Sequence, residues 1–363
     1  MIQLRCECGK SWQVADEQQQ NESGHPCPDC GRVVASPLSA SGAVLRASLR
    51  DHRQAVRGLA FSPDSRLFAA AAGAPVSTGK SQPGSTILWD IEACLPVATL
   101  QWHREAVLSV SFCPQGATMA TGSRDGTIAV WDVSRGLWDA VLGIRERSWL
   151  AHAGGVASLA FSAGGDRLAS TGEDRAVRIW ATSNWQAETT IPCDREGRCQ
   201  AVFSPCGRYL SAIWESRGAA VLWDVGTWKE YLQLRLPANE DSEDYGLAFS
   251  PDGDRLAILG SNEVRIWDVS TCQVVTSFRA PKSQALAWSP LGKLIATGGS
   301  ETSGHATLRL WDADTGAEFD QFVGQRSPIT AVAFSRDGRF LAAGSQDATV
   351  NLWALAAEHA AAR

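Results

Sequence analysis

The sequence lacks several features that would indicate particular classes of protein. It has no uninterrupted apolar run of about 18 residues, which a membrane-spanning helix needs, and its start, MIQLRCECGK, lacks the apolar core of a signal peptide. We therefore expect a cytoplasmic protein with no membrane partner. Positive charge is not in excess either, since 33 Lys and Arg face 39 Asp and Glu, a net charge of -6. That balance argues against a general nucleic-acid binder.

Tyr and Met are scarce, with three and two residues, whereas Trp is abundant, with 15. Seven Trp recur at intervals of 42 to 49 residues, and five of them are followed by Asp; they are Trp89, Trp131, Trp180, Trp223, Trp267, Trp311 and Trp353. Before most of them an apolar alternation runs into a turn of Pro, Asp and Gly, as in LAFSPDG at residues 247–253. These turn residues end one strand and begin a hairpin. Self-similarity at this period indicates a repeat architecture.

Each repeat predicts four short strands, and one such sheet cannot bury both of its faces, so the sheets must stack on each other. We expect the recurring Trp between neighbouring sheets and the Asp that follows it at the strand end. Over residues 43–356 the chain resembles the WD-repeat β-propeller family. The resemblance implies an all-β fold, a seven-bladed β-propeller of four-stranded blades. It also implies that residues 43–50 complete the last blade by pairing with the strand that ends at Trp353.

The first 36 residues contain two close pairs of cysteines with 18 residues between the pairs; the four are Cys6, Cys8, Cys27 and Cys30. Zn(II) favours four tetrahedral thiolates, and a segment of this length rarely folds without a metal or a disulfide. The segment resembles a zinc ribbon, although its first pair is one residue shorter than the usual C-x-x-C. We therefore expect a structural Zn(II) on these four cysteines, with redox disulfides as the alternative. Residues 37–42 are predicted to be a linker and residues 357–363 a tail.

Blades two and three carry His, a hydroxyl, Asp and Trp at matched positions: His103, Thr121, Asp125 and Trp131, then His152, Ser170, Asp174 and Trp180. Ser, His and Asp could also form a catalytic triad, but triads are recognised by geometry. No strained nucleophile turn of the G-x-S-x-G kind is present. The family resemblance implies instead a buried structural tetrad, a hydrogen-bond chain from Asp through His and the hydroxyl to the Trp ring nitrogen.

The resemblance also implies a non-catalytic scaffold that binds a protein or peptide at the rim where the loops before the first strand and after the second strand meet. The candidate binding residues there are Arg57, Arg124, Glu173, Arg198, Tyr245, Lys282 and Gln346. A merely solvated surface is the simpler alternative. Another is a nucleic-acid-associated adaptor that uses the ribbon, but residues 1–36 are poor in the positive charge that phosphate contacts need. An enzyme is a third, for which we find no nucleophile or metal cluster in the ring.

Overall fold

The computed structural model describes residues 2–5, 11–14, 25–26, 33–34, 43–74, 82–133, 144–192, 199–214, 219–235, 245–260, 262–300, 306–322 and 326–355. Within these residues the chain forms seven antiparallel sheets of four strands each, together with two short hairpins near the N-terminus. The described part contains strands and no helix. The predicted seven-bladed all-β propeller is confirmed.

The strands of each blade follow the chain order from the central channel outward. Blades one and two contain Val56–Phe61, Leu67–Ala72, Ser85–Asp90 and Leu95–Leu100, then Val107–Phe112, Thr118–Ser123, Thr127–Asp132 and Ile144–Leu150. Blades three and four contain Val156–Phe161, Arg167–Gly172, Ala176–Ala181 and Gln186–Pro192, then Cys199–Phe203, Tyr209–Trp214, Ala219–Asp224 and Glu230–Arg235. Blades five and six contain Tyr245–Phe249, Arg255–Gly260, Glu263–Asp268 and Gln273–Arg279, then Ser283–Trp288, Leu294–Ser300, Ala306–Asp312 and Glu318–Phe322. Blade seven combines Ile329–Phe334, Phe340–Ser345 and Val350–Ala354 with the N-terminal strand Val44–Leu49.

Ring closure depends on the two ends of the propeller sequence. The strand Val44–Leu49 pairs antiparallel with Val350–Ala354, so that Leu49 lies opposite Val350. The first strand of each blade packs against the first strands of its neighbours, and that of blade seven packs against that of blade one. The circle of blades is therefore continuous, and the closing strand covers the outer edge of Val350–Ala354, which would otherwise be unpaired.

The core consists of the interfaces between neighbouring blades. Trp89 of blade one is buried against Phe340 and Leu352 of blade seven. Trp353 is buried in the same way against Leu308 of blade six. Because full burial of a large apolar side chain stabilises a fold by about 1.5–3 kcal/mol, the recurring Trp contributes strongly to every interface where it is buried.

A serine organises the turn between the first and second strands of most blades. In blade five the Ser250 hydroxyl accepts the backbone N–H of Arg255 at 2.9 Å and donates to Asp252 at 2.5 Å. The serines that accept an N–H in the same way in other blades are Ser62, Ser162, Ser204 and Ser335. These bonds satisfy backbone donors that the hairpin would otherwise leave unpaired.

The Asp that follows the recurring Trp organises the next turn. In blade five the Asp268 carboxylate accepts the N–H groups of Ser270 and Thr271 at 3.0 and 2.8 Å, and both of their hydroxyls as well. These hydrogen bonds, with that of the Ser270 hydroxyl first, lower the pKa of Asp268 to about 2. The repeated Asp is thus a turn cap at the end of the third strand.

Ring closure can be tested with two N-terminal truncations. A chain that starts at residue 37 keeps the closing strand, whereas a chain that starts at residue 51 leaves Val350–Ala354 with an exposed edge. We expect the first to melt close to the full chain, and the second to melt lower and to aggregate. Thermal unfolding followed by circular dichroism measures both. Equal melting temperatures for the two truncations would contradict the closure.

Candidate functional site

The candidate rim is formed by the loops that enter each first strand and by those that link the second and third strands. Arg57 sits at a bulge of the strand Val56–Phe61, where the register with the second strand shifts between Val56 and Gly58. A bulge re-aims the side chain that it carries. Arg124 and Gln346 follow the second strands of blades two and seven. Residues distant in sequence are thus placed at one end of the ring.

Two adjoining cavities gather four of the seven predicted binding residues. The central channel has a volume of about 670 Å³, and its lining includes Arg57, Tyr245 and Gln346. A second cavity of about 590 Å³, the rim pocket, shares Arg57 and Gln346 with the channel and adds Arg124. The rim pocket also contains Arg53, which the sequence analysis missed although Arg follows His in both blade one and blade two.

The other three predicted binding residues do not join these cavities. Glu173 and Lys282 are exposed on the loops of blades three and six and line neither cavity. Arg198 lies outside the described residues. The structure therefore concentrates the candidate site at blades one, two and seven, with Tyr245 across the channel.

Several polar side chains of the channel hold neighbouring blades together. The Ser109 hydroxyl accepts the N–H of Leu159 in the next blade at 3.0 Å. Thr330 likewise donates to the carbonyl of Val56 at 2.6 Å, across the junction of blades seven and one. These hydrogen bonds satisfy buried backbone groups of the innermost strands, so these two hydroxyls have a structural role.

Blade three contains a continuous hydrogen-bond chain. The Trp180 ring N–H donates to the Ser170 hydroxyl at 2.8 Å, and Ser170 contacts His152 Nε2 at 2.8 Å. His152 Nδ1 lies 2.7 Å from Asp174, which also accepts a hydrogen bond from Arg178 at 2.7 Å. Burial lowers the pKa of His152 despite the nearby carboxylate, so the ring is neutral at neutral pH.

Blade two contains the same chain with one additional hydroxyl. Trp131 donates to Thr121 at 2.9 Å, and Thr121 contacts His103 Nε2 at 2.8 Å. His103 Nδ1 meets Thr127 at 2.9 Å, and Thr127 donates to Asp125 at 2.5 Å. His103 Nδ1 and the Asp125 carboxylate are themselves 3.7 Å apart. Thr127 was not predicted, because its role depends on where the hydroxyl lies between the two side chains.

Burial and hydrogen bonding act in opposite directions on the Asp125 carboxyl. Burial alone would raise its pKa, but His103, the Thr127 hydroxyl and the N–H of Arg104 together hold the pKa well below its ordinary value. The N–H of Arg104 donates to the second carboxylate oxygen at 2.7 Å. The ionised carboxylate therefore accepts the last hydrogen bond of the chain.

The other blades keep parts of this arrangement. In blade six the Trp311 ring N–H donates to Thr297 at 2.8 Å, a pair that the sequence analysis missed. In blade one His52 packs against the Trp89 ring with centroids 5.2 Å apart, and burial lowers its pKa to about 4 although the charge of Asp51 opposes the shift. Neither ring nitrogen of His52 meets a polar partner among the described residues.

The triad alternative fails on access. Ser170 is completely buried, and its oxygen contacts His152 and Trp180. A substrate in solvent cannot reach that oxygen, so this Ser, His and Asp set does not act as a nucleophilic site. The hydrogen bonds are those of a structural network.

The four predicted zinc ligands, Cys6, Cys8, Cys27 and Cys30, lie outside the described residues. Across the described ranges no cluster of three or more His, Cys, Asp or Glu side chains could hold a metal ion. The same ranges contain no helix that is long and apolar enough to cross a membrane.

Comparisons with known proteins agree with this architecture. The family model of the WD domain, G-beta repeat, matches residues 43–90, 94–132, 143–181, 272–312 and 317–354. The chain belongs to the WD-repeat family. The model leaves blade four and the first three strands of blade five unmatched, although both blades form complete four-stranded sheets.

Three relatives show the range of proteins that share this sequence pattern. The chain is 28% identical to the serine-threonine kinase receptor-associated protein of Gallus gallus over 259 residues, which covers 71% of this chain and 69% of the relative. It is 29% identical to the nuclear distribution protein PAC1 of Arthroderma otae, covering 71% and 61% of the two chains. It is 26% identical to the protein hir1 of Schizosaccharomyces pombe, covering 70% and 31%.

The blade-three network predicts the effect of losing its carboxylate. Replacing Asp174 by Ala leaves His152 and Arg178 without their shared acceptor, and an unpaired buried polar group costs about 1–3 kcal/mol. We expect Asp174→Ala to lower the free energy of unfolding by about that amount, measured by chemical denaturation. Asp254→Ala removes an exposed carboxylate from a turn and is the matched control, expected within ~0.5 kcal/mol of wild type. Equal stability of the two variants would contradict the structural role.

Proposed function

We propose that this chain is a non-catalytic interaction scaffold and that it binds a protein or peptide segment over the rim pocket and the mouth of the channel. The observation that carries the proposal is the convergence of Arg57, Arg124, Gln346 and Tyr245 on two adjoining cavities. Arg and Tyr are favoured in binding hot spots because they bury apolar area and form hydrogen bonds together. Cavities of this size suit a few side chains of a partner segment.

The relatives support a role in association. One of them carries a name that describes association with a serine-threonine kinase receptor. The shared WD repeats supply the scaffold, while the residues at the rim set the partner, because function depends on the site and not on the fold alone.

We further propose that Cys6, Cys8, Cys27 and Cys30 bind one structural Zn(II). The strand Ile2–Arg5 pairs with Ser11–Val14, and His25–Pro26 pairs with Val33–Val34. In the sequence each cysteine pair falls between the two strands of one hairpin, which is the arrangement that two zinc knuckles need. Four thiolates would complete a closed coordination shell, so the metal would stabilise the segment rather than catalyse a reaction.

The rim proposal predicts which substitutions weaken binding. Peptides are first selected from a random display library on the immobilised full chain. Their affinities are then measured for the wild-type protein and for a variant with Arg124→Ala and Tyr245→Ala. We expect the double variant to bind at least tenfold more weakly, about 1.4 kcal/mol, while circular dichroism shows that the propeller still folds. Undiminished affinity in the double variant, with loss of binding on removal of residues 1–36, would move the function to the N-terminal segment.

The zinc proposal predicts one metal ion per chain. Elemental analysis of freshly purified, reduced protein should find about one equivalent of zinc, lost on chelation, because thiolates bind the metal in competition with the chelator. Cys27→Ser should lower the content, whereas Cys206→Ser, at an exposed propeller cysteine, should leave it unchanged. A metal-free wild-type protein would contradict the proposal and favour disulfides.

A further inference from the structure

The rim pocket concentrates positive charge in a chain that is acidic overall. Arg53 and Arg57 enter it from blade one and Arg124 enters it from blade two. The net charge of the whole chain is -6. Three guanidinium groups around one cavity of about 590 Å³ therefore give this part of the surface a charge of the opposite sign to that of the chain as a whole.

Among the described residues, one acidic side chain lines the pocket beside the three arginines. Asp347 is the acidic residue among the described lining, and its carboxylate accepts hydrogen bonds from the N–H and the hydroxyl of Thr349 at 3.0 and 2.5 Å. Across the described ranges, no carboxylate lies within ion-pair distance of Arg53 or Arg124. Other arginines of the propeller do pair with carboxylates, namely Arg167, Arg178, Arg255 and Arg265.

The edge of the pocket offers neutral hydrogen-bonding groups as well. The Gln54 amide donates to the Gln82 amide at 3.1 Å, and both residues line the pocket. Gln346 links the pocket to the channel, whose lining carries hydroxyl and amide groups. Amide groups of this kind can pair with the backbone of an extended peptide.

We propose that the rim pocket takes Asp or Glu side chains of a partner peptide, with Arg53 and Arg124 pairing with the carboxylates and the amide edge contacting the peptide backbone. The proposal rests on the rim being the binding surface. Guanidinium groups bind carboxylates in bidentate geometry, and such charge-assisted hydrogen bonds are about twice as strong as neutral ones.

The spread of the charge favours a peptide over a nucleic acid. The three arginines of the pocket are clustered at blades one and two, whereas exposed Glu173 lies on the rim at blade three and exposed Lys282 lies apart from them at blade six. A nucleic-acid backbone needs a track of positive charge that follows successive phosphates. A short peptide with several carboxylates can pair with guanidinium groups that enter one pocket from two blades.

The test uses the full chain and a short fluorescein-labelled peptide in which Glu alternates with Ala. Binding is measured by fluorescence anisotropy at about 0.1 M salt, where the Debye length is about 10 Å. The matched probe has Gln in place of Glu. We expect the Glu peptide to bind at least tenfold more tightly than the Gln peptide. We expect the variant Arg53→Gln/Arg124→Gln to lose at least tenfold in affinity for the Glu peptide at an unchanged melting temperature.

The control variant, Arg66→Gln/Arg336→Gln, makes the same change of net charge in exposed turns between the first and second strands, at the opposite rim. It should bind the Glu peptide within about twofold of wild type, because surface charges separated by more than a Debye length are screened. If both double variants lost affinity for the Glu peptide equally, binding would depend on the net charge of the protein and not on the rim pocket, and the proposal would be overturned.

Several further outcomes would also overturn it. Equal binding of the Glu and Gln peptides would remove the acidic specificity. Tighter, Arg124-dependent binding of a phosphoserine peptide would assign the pocket to phosphate groups, and tighter binding of a single-stranded oligonucleotide would assign it to nucleic acid.

If library-selected peptides depend on the rim but contain no acidic residues, the acidic proposal fails while the proposed rim function stands. If no selected peptide depends on the rim, the proposed function itself fails.

Discussion

The burial of each blade against its neighbours is the constraint on which the rest of the molecule depends. A four-stranded blade has two apolar faces, and it buries them only when a blade stands on each side. The clusters around Trp89 and Trp353 lie at such interfaces. The closing strand Val44–Leu49 extends this condition to the last blade. Since the ring holds the first strands in place, it also holds the loops that form the rim.

Polar networks add to this packing unevenly around the ring. Blades two and three combine a buried Trp with a complete chain of hydrogen bonds to an ionised Asp. Among its described residues, blade six keeps the Thr297 and Trp311 pair of this chain. In blade five the Trp267 ring nitrogen has no partner among the described residues, and Ile258 occupies the register that a hydroxyl fills in blade two. Blade five therefore depends more on apolar contacts, which agrees with the absence of its first three strands from the family match.

Repetition made the fold predictable from the sequence. The spacing of Trp and of the turn residues identified all seven blades, because each copy supplies an independent sample of one structural unit. The tetrad residues followed from the family pattern, whereas the Thr127 link required the positions of three side chains. The rim pocket was only partly predictable, since Arg53, Arg124 and Gln346 meet through ring closure and no local pattern joins them.

The central claim is that the rim over blades one, two and seven is the surface that receives a partner. A crystal structure of the full chain with a library-selected peptide tests it most directly. The account predicts that the peptide lies across the rim pocket and the channel mouth, in contact with Arg57 and Arg124. A peptide bound at the opposite rim, along the outer strands, or on residues 1–36 alone would contradict it.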